Sequence, residues 1–265
     1  MPSDGPPDAE EGFLPAFPAE VRQARWGMGD VAAGFGLWFA SQIVLGVVVA
    51  VFLVREGTAT SDVSELDLPL WALGLTMAGN YAAFIGWPAI VARWKGLGSL
   101  VRDFGLRFRW SDLGWGLLAG IACLVLSGVM NVIYTLISSG GEAPSNATFL
   151  EDQPKDVLTF LSLFVLVAVL TPLAEEIFFR GLVLRSAAKR WGTGLGIAVS
   201  SMLFGLPHAL SSTELTAMAF FAFVTGLYGA VIAVVCVKCD WRLGPAIVAH
   251  VVINGTGVAT LFFLT

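Results

Sequence analysis

Five polar side chains that can do chemistry occur in stretches of the sequence that are otherwise apolar. They are Glu175, Glu176, His208, His250 and Asn254, and they include both histidines of the chain. A glutamate and a histidine can polarise a water molecule, and a second histidine and an amide can donate hydrogen bonds to a developing oxyanion. Ionisable groups are costly inside a bilayer and usually mark a function there. The set therefore predicts a hydrolytic site within a membrane.

The two adjacent glutamates are not equivalent. Glu176 and Arg180 are four residues apart, so they share one face of a helix and can form an ion pair. Glu175 points about 100° away from Glu176 around the helix axis. Phe178 and Phe179 occupy the positions where a basic partner of Glu175 would lie. We therefore expect Glu175 to be available as a general base or acid, whereas the pairing of Glu176 with Arg180 is partly structural.

The two histidines each have a partner one helical turn away. Phe204 precedes His208 by four residues, and Asn254 follows His250 by four. Phe204 is expected to pack as a wall of the site. Glu175, His208 and His250 are also of the types that bind zinc. Two interpretations stay open at this point, namely a metal-free activated water, which we favour slightly, and a Zn²⁺ site.

The sequence around these residues is that of a membrane protein. Of 265 residues, 56% are hydrophobic and only 13% are charged, whereas a soluble domain has about 25% charged residues. A spanning helix needs about 20 apolar residues. Seven stretches of comparable length lack Asp, Glu, Lys and Arg, at 31–54, 68–92, 113–141, 157–174, 191–213, 215–237 and 243–265. The sequence predicts an all-α polytopic transmembrane helical bundle of about seven spans.

The charges predict its orientation. Most Lys and Arg residues precede the first span or lie between spans two and three, four and five, or six and seven, which places the N-terminus in the cytoplasm. Residues 1–30 begin with a Pro- and acid-rich stretch and are expected to form a flexible cytosolic tail before a single membrane domain at 31–265. A net charge of −5 disfavours nucleic-acid binding.

Three short motifs follow one another along about residues 157–258. They are E-E-x-x-x-R, F-x-x-x-H and H-x-x-x-N. In this order they resemble the CAAX-processing and bacteriocin-processing (CPBP or ABI) intramembrane protease family, which includes the Ras-converting CAAX endopeptidase. The resemblance implies an intramembrane endopeptidase in the cytoplasmic membrane of a prokaryote. Its substrate would be a membrane-bound or lipid-modified protein or peptide.

The resemblance also implies a role for each residue. Glu175 would activate water together with His208, and Glu176 would support the site. His250 and Asn254 would form the oxyanion hole. The family has been described both as metalloproteases and as glutamate-dependent peptidases, so it leaves the Zn²⁺ question open.

Two other functions fit the same sequence. A proton- or ion-coupled transporter would use the buried acids as a relay, although the internal repeat typical of transporters is not evident. A non-catalytic immunity or scaffold protein would bind a partner through the same pocket. In each case we expect a cavity near mid-membrane that opens to the cytosol.

The positions of the site residues along their helices present a geometric difficulty. His250 is eight residues from Arg242, or about 12 Å of helix, and Glu175 is ten residues from Arg185, or about 15 Å. His208 is eighteen residues from Arg190, or about 27 Å. The three can meet only if the glycine-rich segment 192–196 is not helical, or if the helix that follows is tilted.

Overall fold

The computed structural model describes residues 14–57, 69–138, 150, 153–212 and 214–263. Every regular element in these ranges is helical, which confirms the predicted all-α polytopic bundle. The helices are α1 (Ala19–Arg22), α2 (Met28–Glu56), α3 (Leu70–Lys95), α4 (Leu100–Phe104), α5 (Ser111–Ile137), α6 (Val157–Trp191), α7 (Thr193–His208), α8 (Leu215–Lys238) and α9 (Gly244–Phe263).

Within the described residues, six helices are long and apolar enough to cross a membrane, namely α2, α3, α5, α6, α8 and α9. The predicted span at 191–213 is shorter: α7 has 16 residues and ends in a 3₁₀ turn at Ala209–Ser211, against the roughly 20 residues of a full span. It packs so closely on α8 at Gly205 that a Cβ atom there would lie only 2.2 Å from the Ala222 carbonyl oxygen. Small residues permit such contacts between membrane helices.

Helix α6 is the element on which the site is built. It contains two π-helical segments, Phe164–Leu170 and Ile177–Val183, on either side of the turn that carries the two glutamates. Pro172 lies between them and lacks the N–H that would close a backbone hydrogen bond. Widened turns of this kind are frequent at functional sites. Here the carbonyl oxygens of Leu166 and Val167, in the first of these segments, accept side-chain hydrogen bonds.

One end of the bundle holds the basic segments near residues 22–30, 93–112, 185–190 and 238–242, and we call it the cationic face. Its ion pairs include the buried Arg242–Asp112 (2.6 Å), the partly buried Lys95–Asp30 (2.6 Å) and the exposed Arg107–Glu20 (3.0 Å). At the same end, the Lys189 Nζ atom donates a hydrogen bond to the Ala24 carbonyl. The four segments that the charge pattern places on one side of the membrane therefore do lie together.

The N-terminal segment takes part in this face. Phe17, Val21 and Trp26 are buried, and the Trp26 indole donates a 2.8 Å hydrogen bond to the fully buried Asp103 carboxylate. The packed part of the chain therefore begins before residue 30, where the predicted tail ends. Residues 1–13 of that tail lie outside the described residues.

Arg185 is buried at the cationic face rather than lying at the membrane surface. Its side chain is held by the carbonyl oxygens of Trp241 and Asp103 and lies against the Trp241 ring. Gly105 makes room for it, with a φ of 73° and an ideal Cβ position only 2.3 Å from the Arg185 guanidinium and the Trp241 carbonyl. Helix α6 therefore continues past Arg185 to Trp191.

We expect Gly105→Ala to destabilise the protein by clearly more than Gly57→Ala. Both glycines have a left-handed backbone, which costs an alanine about 1–2 kcal/mol, but only Gly105 has atoms within 4 Å of the added methyl group. Thermal unfolding of the two purified variants in detergent measures the difference. Equal melting temperatures would contradict the tight packing around Arg185.

Candidate active site

Glu176 is the centre of a buried polar cluster. Its side chain is completely buried, and Oε1 accepts hydrogen bonds from Arg180 (2.8 Å) and from His250 Nδ1 (2.8 Å). The ion pair expected from the spacing of Glu176 and Arg180 is present. Because a carboxylate only accepts here, Nδ1 of His250 carries the proton. The other ring nitrogen, Nε2, lies 3.6 Å from Glu175 Oε2.

His208 is oriented by its own helix. Its Nδ1 atom lies 2.8 Å from the Phe204 carbonyl oxygen, which can only accept, so Nδ1 carries the proton and Nε2 is left as an acceptor. The Phe204 ring lies between the two histidines, with centroid distances of 5.0 Å to His208 and 5.6 Å to His250. The Arg180 guanidinium stacks over the same ring at 4.4 Å. Phe204 is a wall of the site, as expected.

Asn254 joins two helices. Its Nδ2 atom donates a 3.0 Å hydrogen bond to the carbonyl of Val167, in the first π-helical segment of α6. In that segment a bond to Val167 would need the N–H of residue 172, which is proline. One N–H of the Asn254 amide thus replaces the missing backbone bond, and the second N–H remains for the cavity.

The predicted residues converge on one cavity. Glu175, His208, His250 and Asn254 all line a space of about 550 Å³ between α3, α5, α6, α7, α8 and α9. Glu176 lies behind His250, outside the cavity lining, in agreement with a supporting role. The side chain of Glu175 is 17% exposed, so it is the accessible acid of the pair.

The difference in depth between Glu175 and His208 disappears once their helices are measured from their true ends, whereas His250 lies about 9 Å along α9. Glu175 lies 16 residues before Trp191 and His208 lies 15 residues after Thr193, so both are about 23 Å along their helices. The value of about 15 Å for Glu175 was wrong because it was counted from Arg185, which is buried. Only Gly192, with a φ of 87°, interrupts the helical path.

Glu175, His208 and His250 are the residues that were predicted as zinc ligands. Across the residues that the structure describes, no group of three or more His, Cys, Asp or Glu side chains is arranged to hold a metal ion. Nδ1 of both histidines donates, to the Phe204 carbonyl and to Glu176, so each Nε2 keeps the lone pair through which a histidine binds a metal. Glu175, His208 and His250 are nevertheless not arranged as a three-donor group among the described residues.

Two contributors to the site were not predicted as site residues. The Tyr81 hydroxyl donates a 2.8 Å hydrogen bond to the Leu166 carbonyl and lies 3.3 Å from Thr171 Oγ1. Asn80 lines the cavity, and its side-chain oxygen accepts a 2.6 Å hydrogen bond from the Trp38 indole. The available signal was the polar pair Asn80–Tyr81 within an apolar stretch.

Fold and site together define a polytopic membrane protein with a glutamate–histidine centre among its helices. Residues 157–256 match the family described as type II CAAX prenyl endopeptidase Rce1-like. The resemblance inferred from the three motifs is thereby confirmed, and the matched stretch contains all five predicted catalytic residues. The match supports an intramembrane protease of the CAAX type. Neither the curated proteins nor the solved structures gave a significant match.

We expect Glu176→Gln to lower the free energy of unfolding by about 3–5 kcal/mol, because it leaves the buried Arg180 guanidinium without its counter-ion. The double variant Glu176→Gln/Arg180→Met removes that unpaired charge and should recover part of the loss. Unfolding curves of both variants in the same detergent provide the measurement. A single variant as stable as the wild type would show that the pair is not structural.

Proposed function

We propose that the protein is an intramembrane endopeptidase that hydrolyses a peptide bond by means of a water molecule bound at Glu175. The observation that carries the proposal is the position of the Glu175 carboxylate. It lines one cavity together with His208 and lies 3.6 Å from His250 Nε2. The family match supports a membrane-associated protein or peptide as the substrate.

Glu175 and His208 are assigned to the activation of water. Glu175 is the only carboxylate that lines this cavity among the described residues, and it accepts the proton as the water oxygen attacks the peptide carbonyl. Nε2 of His208 is free to accept the second hydrogen bond from the same water, because Nδ1 donates to Phe204. The proton held by Glu175 then passes to the nitrogen of the breaking peptide bond.

His250 and Asn254 are assigned to the oxyanion that develops on the substrate carbonyl. The second amide N–H of Asn254 is a donor with a fixed position, since the first is bound to Val167. For His250 to donate, Nε2 must hold a proton, because Nδ1 already donates to Glu176. His250 binds this second proton before the attack, while Glu175, 3.6 Å away, is ionised. It is a different proton from the one that Glu175 takes from the water. Preoriented donors of this kind stabilise the transition state without further reorganisation.

We expect Glu175→Gln and His208→Asn each to reduce hydrolysis by 100-fold or more, because general acid–base groups contribute about 10²–10⁴ to the rate. Cleavage of an internally quenched, lipid-anchored peptide by purified protein in liposomes measures the effect. Glu214→Gln is the matched control, since Glu214 is exposed and outside the cavity lining. Full activity in both cavity variants would refute the assignment.

The proposed mechanism requires no metal, so treatment with EDTA or 1,10-phenanthroline should leave the same cleavage rate unchanged. The reason is the arrangement of the donors, in which Glu175, His208 and His250 do not form a ligand set. Loss of activity that is restored by added Zn²⁺, but not by Mg²⁺, would establish a metallopeptidase instead.

A further inference from the structure

One polar side chain at the site is not used by the proposed mechanism. Asn80 lies on α3, outside the three sequence motifs and outside residues 157–256, which the family match covers. It lines the larger cavity and also a second, smaller cavity of about 120 Å³. Among the described residues, only Glu175 and His208 also line both spaces. Asn80 therefore lies beside the two groups that are assigned to the activation of water.

The Trp38 indole determines which way the Asn80 amide points. An indole Nε1–H can only donate a hydrogen bond, so the atom that lies 2.6 Å from it is the side-chain oxygen of Asn80. The amide nitrogen carries two N–H donors, and neither is bonded to another residue that the structure describes. Asn80 therefore offers a hydrogen-bond donor to a molecule in the cavities.

Packing holds Trp38 itself in place. Its ring stacks on Phe84, with a centroid distance of 5.8 Å and an angle of 24° between the ring planes. Helices α2 and α3 approach closely at Gly79, the residue before Asn80, where a Cβ atom would lie 2.5 Å from the Leu45 side chain. The hydrogen bond from Trp38 thus ties the Asn80 amide to a tight contact between two helices. Its donors are preoriented, as a catalytic site requires.

The small cavity offers few partners to a water molecule. Apart from the three shared residues, its walls are apolar or aromatic: Trp38, Phe84, Phe179 and Pro207. The one polar side-chain atom in this group is Nε1 of Trp38, which is already bonded to Asn80. A water molecule in this cavity therefore finds its side-chain partners in Asn80, Glu175 and His208. Buried water molecules make about three hydrogen bonds, which is the number that these side chains supply.

The three side chains also match the donors and acceptors of water. The Glu175 carboxylate and Nε2 of His208 each accept one O–H, and the Asn80 amide donates to one lone pair of the oxygen. The second lone pair stays free to attack a peptide carbonyl. His250 and Asn254 line the larger cavity but not the small one. Asn80 is therefore the donor on the side of the site where the water lies.

We infer that Asn80 is a third catalytic residue at the hydrolytic water and that Trp38 is the positioning residue that orients it. This inference rests on the proposed peptidase function. As the water oxygen bonds to the peptide carbon, one of its protons passes to Glu175 and the other keeps its hydrogen bond to His208. The proton on Glu175 then moves to the nitrogen as the C–N bond breaks. Asn80 keeps both amide protons and holds the oxygen throughout.

Asn80→Leu tests this inference, and Gln42→Leu is its matched control. The Gln42 side chain donates to the Thr76 carbonyl (3.5 Å), so it also joins α2 to α3, but it lines neither cavity. We expect Asn80→Leu to lower kcat for the internally quenched, lipid-anchored peptide by about five- to tenfold, the effect of one lost hydrogen bond. KM should not change, because the lost contact is to the water and not to the substrate. Gln42→Leu should retain both constants.

Three kinetic results would overturn the inference and leave the peptidase function intact. They are a wild-type kcat in Asn80→Leu, a raised KM at unchanged kcat, and an equal loss of kcat in Gln42→Leu. The second would place Asn80 on the substrate, and the third would show that only the contact between α2 and α3 matters. Failure of the wild type to cleave the peptide would refute the proposed function, and the inference with it.

Trp38→Phe separates orientation from presence of the amide. It keeps an aromatic ring against Phe84 and removes the indole N–H that holds the Asn80 oxygen. We expect kcat to fall and KM to stay unchanged, as in Asn80→Leu. A wild-type kcat in Trp38→Phe would overturn the positioning role of Trp38.

A high-resolution crystal structure of the wild-type protein tests the water site without any enzymatic activity, and it does not depend on the stability of a variant. We expect one ordered water within about 2.6–3.2 Å of Asn80 Nδ2, the Glu175 carboxylate and His208 Nε2. A water bound to Glu175 and His208 but not to Asn80, or Asn80 Nδ2 bonded to a protein oxygen instead, would overturn the inference.

Discussion

A single carboxylate in the middle of the membrane domain holds the site together. Glu176 is completely buried, yet it bonds a guanidinium on its own helix and an imidazole on α9 through the same oxygen. In a medium of low dielectric constant neither charge is tolerable alone, so Arg180 and Glu176 stabilise each other. The orientation of His250 follows from this pair. Glu176 thus fixes the imidazole ring of His250, and the accessible Glu175 and the Phe204 ring lie next to that imidazole.

Carbonyl oxygens in the first π-helical segment of α6 complete the arrangement. The Leu166 carbonyl accepts the backbone N–H of Thr171 and a second hydrogen bond from the Tyr81 hydroxyl on α3. Pro172 has no N–H to offer Val167, and the Asn254 amide on α9 occupies that carbonyl instead. These contacts join three helices at one level of the bundle. The same level carries Glu175, and the catalytic geometry is thus coupled to helix packing.

Much of this could be read from the sequence because strong physical constraints act on few residues. Charge-free stretches predict the membrane helices, and the spacing of Glu176 and Arg180 predicts their ion pair. The depth of Glu175 was misjudged because Arg185 was taken to mark the membrane surface, whereas backbone carbonyls solvate it inside the protein. The roles of Tyr81 and Asn254 depend on where the carbonyls of Leu166 and Val167 point, which only the backbone path of α6 reveals. Helix α7 was predicted as a full span at 191–213, but it is shorter because that apolar stretch also contains Gly192 and the 3₁₀ turn at Ala209–Ser211.

The uninterrupted burial of residues 176–188 has a mechanical consequence. Arg185 fixes α6 near the cationic face, because its guanidinium donates to the carbonyl oxygens of Asp103 and Trp241. A shift of α6 along its axis would break these hydrogen bonds. Separation of α2 from α7, by contrast, breaks few polar contacts near Trp38 and Pro207. The bundle is therefore held by charged hydrogen bonds at the cationic end of α6 and mainly by apolar packing near Trp38 on α2 and Pro207 on α7.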